Sequence, residues 1–330
     1  MPGRRTLLLA ASATLAAPAT LRAQGATPGW TPSGPIRVIV PFAAGGTTDI
    51  LARLFGQRLS ETLGVPILVE NRGGGGGSIG ADLVAKANPD GQVLLFHNST
   101  FSATTAVLEF NNRAPHSIER DFAAISLGAL VPTVMMVHPS VPARTLAEFI
   151  AWARAQPAPP FYGSTGPGSA GHLTGEVLQA DGNFRMEHVP FRGASLLVQE
   201  MLAGRIPFGG DQLSSSLQHI RSGALRPVAI RSTTRSRLLP DVPTVREQGF
   251  PNAEILGWNG FFAPARTPEP VLVRLQAEVA AAARHPPLAS RIDELGADPG
   301  GNSSAEFRAM VHEQVAALRP IVRQLRLAPE

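Results

Sequence analysis

Two stretches combine glycine with hydroxyl side chains where a strand should give way to a helix. They are Pro41-Phe-Ala-Ala-Gly-Gly-Thr-Thr-Asp49 and Tyr162-Gly-Ser-Thr-Gly-Pro-Gly-Ser-Ala-Gly-His172. Glycine lets main-chain amides approach a ligand closely. A helix starting at the loop aims unpaired N–H groups and its positive dipole end at the same point, and Ser/Thr hydroxyls add adjustable donors. That chemistry suits a carboxylate or a phosphate. The same residues also make tight turns and helix caps, and loop chemistry alone leaves both readings open.

Other chemistries fit less well. Gly75, Gly77 and Gly80 match G-x-G-x-x-G, as do Gly166, Gly168 and Gly171, but no acidic residue lies about 20 positions beyond either set. The sole lysine, Lys86, does not follow a glycine as a phosphate-binding P-loop requires. Gly76-Gly-Ser-Ile-Gly80 fits the G-x-S-x-G of serine hydrolases. A nucleophile elbow needs a strained strand-to-helix turn, whereas Ser78 follows the run Gly73 to Gly77 and reads better as a helix cap. The 8 histidines include neither HExxH nor an i, i+4 pair, and cysteine is absent, so zinc sites and disulfides have no sequence support. No cofactor is expected.

The elements that must position these loops alternate. A β-branched run at 36–42 is bounded by prolines, and a helix with apolar Ile50, Leu51, Leu54, Phe55, Leu59 and Leu63 follows it. A strand at 67–70, a short helix to Lys86 and a strand at 93–97 complete a βαβαβ unit. Further strands are predicted at 124–137, 161–164, 186–191, 205–208, 227–231 and 255–263, and helices at 145–156, 171–180, 193–203 and 213–222, after Pro268, and at 304–325. The fold class is α/β, with mainly parallel sheets flanked by helices and a ligand cleft where strand ends face each other. The apolar stretch 125–137, broken by Gly128 and Pro132, is too long for one strand and suggests a crossing between two domains.

Composition narrows the partners. With 330 residues, 44% of them hydrophobic, the chain can build two cored domains. Arg4 and Arg5, an uncharged stretch at 6–21, and Ala23 before Gln24 read as a cleavable export signal over 1–23, with the Sec and twin-arginine routes both open. Removing Arg4, Arg5 and Arg22 from the formal charge of +4 leaves +1, too little to hold nucleic acid.

Across the remaining chain the ordered blocks resemble one family. Pro35 to Asp49, Val69-Glu-Asn-Arg72, Ile79-Gly-Ala81, Pro89-Asp-Gly91, Asp121-Phe122 and Val137-His-Pro-Ser-Val-Pro142 are followed by His172-Leu-Thr-Gly-Glu176, His188-Val-Pro-Phe-Arg-Gly193, Leu239-Pro-Asp-Val-Pro-Thr-Val245 and Trp258-Asn-Gly260. In this order they are similar to the Bug-type (TctC-like) substrate-binding receptors of tripartite tricarboxylate transporters.

The resemblance implies a periplasmic two-domain binding protein of type II-like fold, not an enzyme, closing on a small carboxylate and presenting it to membrane subunits. A monomer is expected, with residues 24–131 plus 254–330 in one domain and 132–253 in the other. The alternatives are a hydrolase using Ser78, or a receptor serving a signalling partner. Carried over by the resemblance, the ligand-binding residues are Phe42, Gly46 and Thr47 on one side and Ser164, Thr165, Gly168, Ser169 and His172 on the other. Asp49, Asn98 and Asp211 are further candidates, Asp49 equally a helix-capping residue and Asn98 a turn residue. Ala43 and Ala44 stand where the family often has prolines, and Pro207, Gly209 and Gly210 depart from its usual run into Asp211.

Overall fold

The computed structural model describes residues 29–328, so the expected signal segment lies outside the described residues. Strand β1 (Ile36–Val40) is almost wholly buried and has parallel neighbours on both sides, β2 (Ile67–Asn71) and β3 (Val93–Asn98). Helices α1 (Thr47–Leu63) and α2 (Ser78–Ala85) make the crossovers. Past β3 the chain forms α3 (Thr100–Phe110), then the single turn α4 (Ile118–Asp121) and strand β4 (Phe122–Leu130).

After Val131 and Pro132 the chain enters a second sheet. Its elements are β5 (Thr133–Val137), α5 (Leu146–Arg154), β6 (Phe161–Ser164), α6 (Ala170–Gly182), β7 (Glu187–Pro190), α7 (Ala194–Leu202), β8 (Phe208–Gln212), α8 (Leu213–Arg221) and β9 (Arg226–Arg231). Strand β10 (Trp258–Pro264) returns to the first sheet, followed by α9 (Glu269–Arg284), α10 (Pro286–Glu294), the short β11 (Asp298–Pro299) and α11 (Ser304–Leu325). The sheet orders are β11-β4-β10-β3-β1-β2 and β7-β6-β8-β5-β9.

The expected parallel arrangement occupies β2-β1-β3 and β7-β6-β8. The strands entering or leaving the crossings add antiparallel pairs: β10 with β3 and β4, and β5 with β8 and β9. Both sheets are therefore mixed. The two crossings lie side by side, and the Val131 amide donates to the Gly257 carbonyl at 2.9 Å. A Cβ at position 257 would sit 2.0 Å from the Val131 carbonyl oxygen, so only glycine permits this approach.

Aromatic packing fixes the first sheet. Phe55 of α1, Phe96 of β3 and Phe261 of β10 meet at centroid distances of 4.4 to 6.2 Å. Helix α11 serves both halves. Phe307, Val311 and Val315 join the core beneath β3 and β10, while Leu318 and Val322 join a core shared with α6, β5 and β6. Pro320 lies within α11, yet the helix continues through it.

Three described helices differ from expectation. Residues 100–107 of α3 are all buried, which erases the one-sided pattern that announces a helix. Helix α10 opens with Pro286 and Pro287, tolerated in a first turn whose amides lack helical acceptors. The single turn α4 is too short to carry a period. Strand β8 runs over Phe208–Gln212 rather than 205–208, because pairing with β5 and β6 overrides the weak strand propensity of Gly209 and Gly210.

Candidate functional site

Between the two sheets lies a cleft lined by residues of both halves. Five helices begin at its wall: α1 with Gly46, Thr47 and Thr48, α3 with Ser99 and Thr100, α6 with Ala170 and Gly171, α7 with Ala194, and α8 with Gln212. Only Ser169, which caps α6, satisfies its own helix by a side-chain bond from the cap position, accepting from the His172 amide at 3.2 Å. The cap residues of the other four, Gly46, Ser99, Gly193 and Gln212, make no such bond. Partial positive charge thus converges on one hollow edged by hydroxyls.

The charged side chains in the wall are held differently. Burial alone would raise the Asp49 carboxyl, but bonds from Arg53, the Gly45 amide and Asn71 outweigh it and hold the group below its usual range. Asp211 is pushed up by burial, only partly offset by Ser215, Ser216 and the Gln212 amide. Arg231, at the end of β9, is 1% exposed. Its Nη1 donates to the Ala170 carbonyl at 3.1 Å, and burial lowers its pKa to about 10.

The halves are closed on each other. Thr47 Oγ1 lies 2.8 Å from Ser215 Oγ and accepts the Ser215 amide at 3.1 Å. The Ala43 amide donates to the Arg192 carbonyl at 2.9 Å, and Thr104 Oγ1, 3.0 Å from the Gly76 carbonyl of its own half, reaches the Gly168 carbonyl of the other half at 3.4 Å. The glycine run beside α2 also lies as a strap against residues 166–168. A Cβ on Gly76 would lie 2.5 Å from the Pro167 carbonyl oxygen.

Against this geometry, residues 51–327 match the family described as Tripartite tricarboxylate transporter family receptor. The chain belongs to this receptor family. A UPF0065 protein from a Pseudomonas species is 35% identical over 90% of this chain and 88% of its own length. BugT of Bordetella pertussis is 32% identical over 89% of this chain and 90% of its own. The structure of the periplasmic binding protein BugD superposes with TM-score 0.85 at 29% identity, covering 91% of this chain and 100% of that one. An R. palustris protein with adipate gives 0.83 at 31% identity, covering 91% and 99% of the two chains. MatC from Rhodopseudomonas palustris with bound malate gives 0.83 at 29%, covering 88% and 99%. The receptor has the two-domain periplasmic-binding-protein fold these structures share.

The residues singled out from sequence divide into two groups. Phe42, Gly46, Thr47, Asp49, Asn98, Thr165 and Asp211 line the cleft. Asn98 is also structural: its Nδ2 donates to Thr48 Oγ1 at 2.9 Å and its Oδ1 accepts the Thr100 amide at 3.0 Å. Ser164, Gly168, Ser169 and His172 do not line the cleft and instead build its second loop from behind. Ser164 Oγ accepts the Gly166 amide at 3.1 Å and lies 2.7 Å from His188 Nε2. The Gly168 amide donates to His172 Nδ1 at 3.0 Å, and His172 stacks on His188 with centroids 3.9 Å apart.

Sequence reasoning missed Thr48, Ser99, Thr100, Thr133, Gln212 and Arg231 in the lining. The first-turn position of Thr48 was a signal for it. Nothing local distinguished Arg231 from an ordinary charge ending a strand. Ser78 is the first residue of α2 and sits on the glycine strap, outside the cleft lining.

Proposed function

We propose that this receptor captures a small organic carboxylate in its cleft and delivers it to the membrane subunits of a tripartite tricarboxylate-type secondary transporter. The convergence of five helix starts on one hydroxyl-edged hollow carries the reading, since the positive ends of helix dipoles favour an anion. The relatives solved with adipate and with malate support a carboxylate as the cargo.

In this reading the amides of Gly46 to Thr48 and of Ala170 and Gly171, with the hydroxyls of Thr47, Thr165 and Thr100, hold the anion. Ser164, Gly168, Ser169 and His172 position the second loop, and Asp49 and Asp211 fix the starts of α1 and α8. Residues 24–131 and 254–330 move as one domain and 132–253 as the other, about the paired crossings at Val131 and Gly257. The protein is an exported periplasmic monomer whose segment 1–23 is removed, and it binds without turnover.

Capture stabilises the closed form because contacts from both halves exist only there. A saturable thermal shift with at least one mono-, di- or tricarboxylate is expected, and Gly46→Val abolishes it while leaving the unliganded melting temperature within a few degrees. Its added methyls enter the space beside Ala194, whose Cβ already lies 3.6 Å from the position of a Cβ on residue 46. No shift across a broad acid panel defeats the proposal.

A further inference from the structure

We propose that Arg231 receives a second acidic group of the captured ligand, so that the pocket selects dicarboxylates over monocarboxylates. The inference rests on the carboxylate reading above and adds which class of acid is taken. Arg231 is fully buried at the cleft wall, and among the described residues no carboxylate pairs with it. Its Nε has no hydrogen-bond partner. A guanidinium taken out of water without an anion is unfavourable, and an incoming carboxylate removes that penalty by charge-assisted hydrogen bonds.

The acids of the wall are committed elsewhere. Asp49 is held by Arg53, Asn71 and the Gly45 amide. Asp211 takes bonds from Ser215, Ser216 and the Gln212 amide. Thr133 of β5 pairs with Gln212 on one side and Arg231 on the other, which sets Arg231 two strands away from β8.

Two receptors of different kind therefore face the same hollow. In the first half, the starts of α1 and α3 offer main-chain amides and hydroxyls, and the lining there includes no cationic side chain. In the second half, Arg231 stands at the wall beside the start of α6, its Nη1 tied to the Ala170 carbonyl. One carboxylate satisfies the first receptor, and the planar guanidinium suits another. A ligand carrying both acidic groups closes the halves by bridging them.

Isothermal titration on the mature chain tests this with matched pairs: adipate against hexanoate, succinate against butyrate, malate against 3-hydroxybutyrate. The wild type is expected to favour the diacid of its best pair by at least about tenfold. Arg231→Gln is expected to lose about ten- to hundredfold on the diacid and less than about threefold on the monoacid, erasing the preference, with Arg231→Lys intermediate. A merely structural Arg231 would lower the melting temperature and leave the preference intact. That result, or a wild type that binds each monoacid as tightly as its diacid, overturns the inference while leaving the carboxylate reading standing. A panel with no binding by any acid overturns both. If the substituted chains do not fold, a crystal structure of the wild type with its best diacid decides: a carboxylate oxygen about 3 Å from a guanidinium nitrogen of Arg231 supports the inference, and carboxylates bound only elsewhere refute it.

Discussion

His97 is fully buried between aromatic rings, stacked on Phe101 at 4.5 Å and edge-on to Phe42 at 5.3 Å. Its Nδ1 accepts the Asn98 amide at 2.8 Å, and Nε2 has no partner. Burial pushes its pKa down to about 3. The unfolded chain takes up that proton near pH 6.5, so the stability tied to neutral His97 is fully present above pH 6.5 and falls as pH drops toward 3. Denaturant titrations at pH 7 and pH 4.5 should show a marked loss in the wild type and a smaller one in His97→Gln; equal losses would contradict this placement of His97. At the residue scale the sequence was a partial guide. Gly46, Thr47 and Thr165 are legible because hydroxyls and glycines cluster at a strand-to-helix turn. Arg231 is not, because Pro-Val-Ala-Ile-Arg reads as an apolar strand with a solvated end, and only the packing around β9 buries the charge.

At the scale of elements, helices are visible in sequence in proportion to their contrast between faces. Helix α11 matches its expected span of 304–325 because Phe307, Val311, Leu318 and Val322 form a buried stripe on an otherwise polar helix. Helix α3 is buried over its first eight residues and rich in threonine, so it shows neither period nor strong propensity. Its Thr104 nonetheless ties the glycine strap to the second half. Gly76 sits in that strap with φ of 60°, a conformation that disfavours side chains. Gly76→Ala should oppose closure through both strain and the clash with Pro167. The ligand-induced thermal shift should fall by at least half and affinity by about tenfold, with only a small loss of unliganded stability of about 1 kcal/mol. Unchanged affinity would show that the strap plays no part in closure.

For the whole molecule, the long apolar stretch 125–137 revealed that the chain passes from one sheet to another, since a single strand of that length would be exceptional. The return crossing near residue 254 followed from the family resemblance, whereas the mixed sheet orders depend on pairings distant in sequence and were not visible. The resulting architecture places two sheets on paired crossings, spans both cores with α11, and turns the starts of five helices toward one hollow. In the proposed reading, negative charge on the cargo is what such an arrangement recognises. Calorimetric titration of the best-binding acid beside its fully methylated ester, which keeps the carbon skeleton but carries no charge, measures that recognition. The acid should bind one to one, and the ester should bind at least about a hundredfold more weakly. An ester that binds as tightly as the acid would contradict the account.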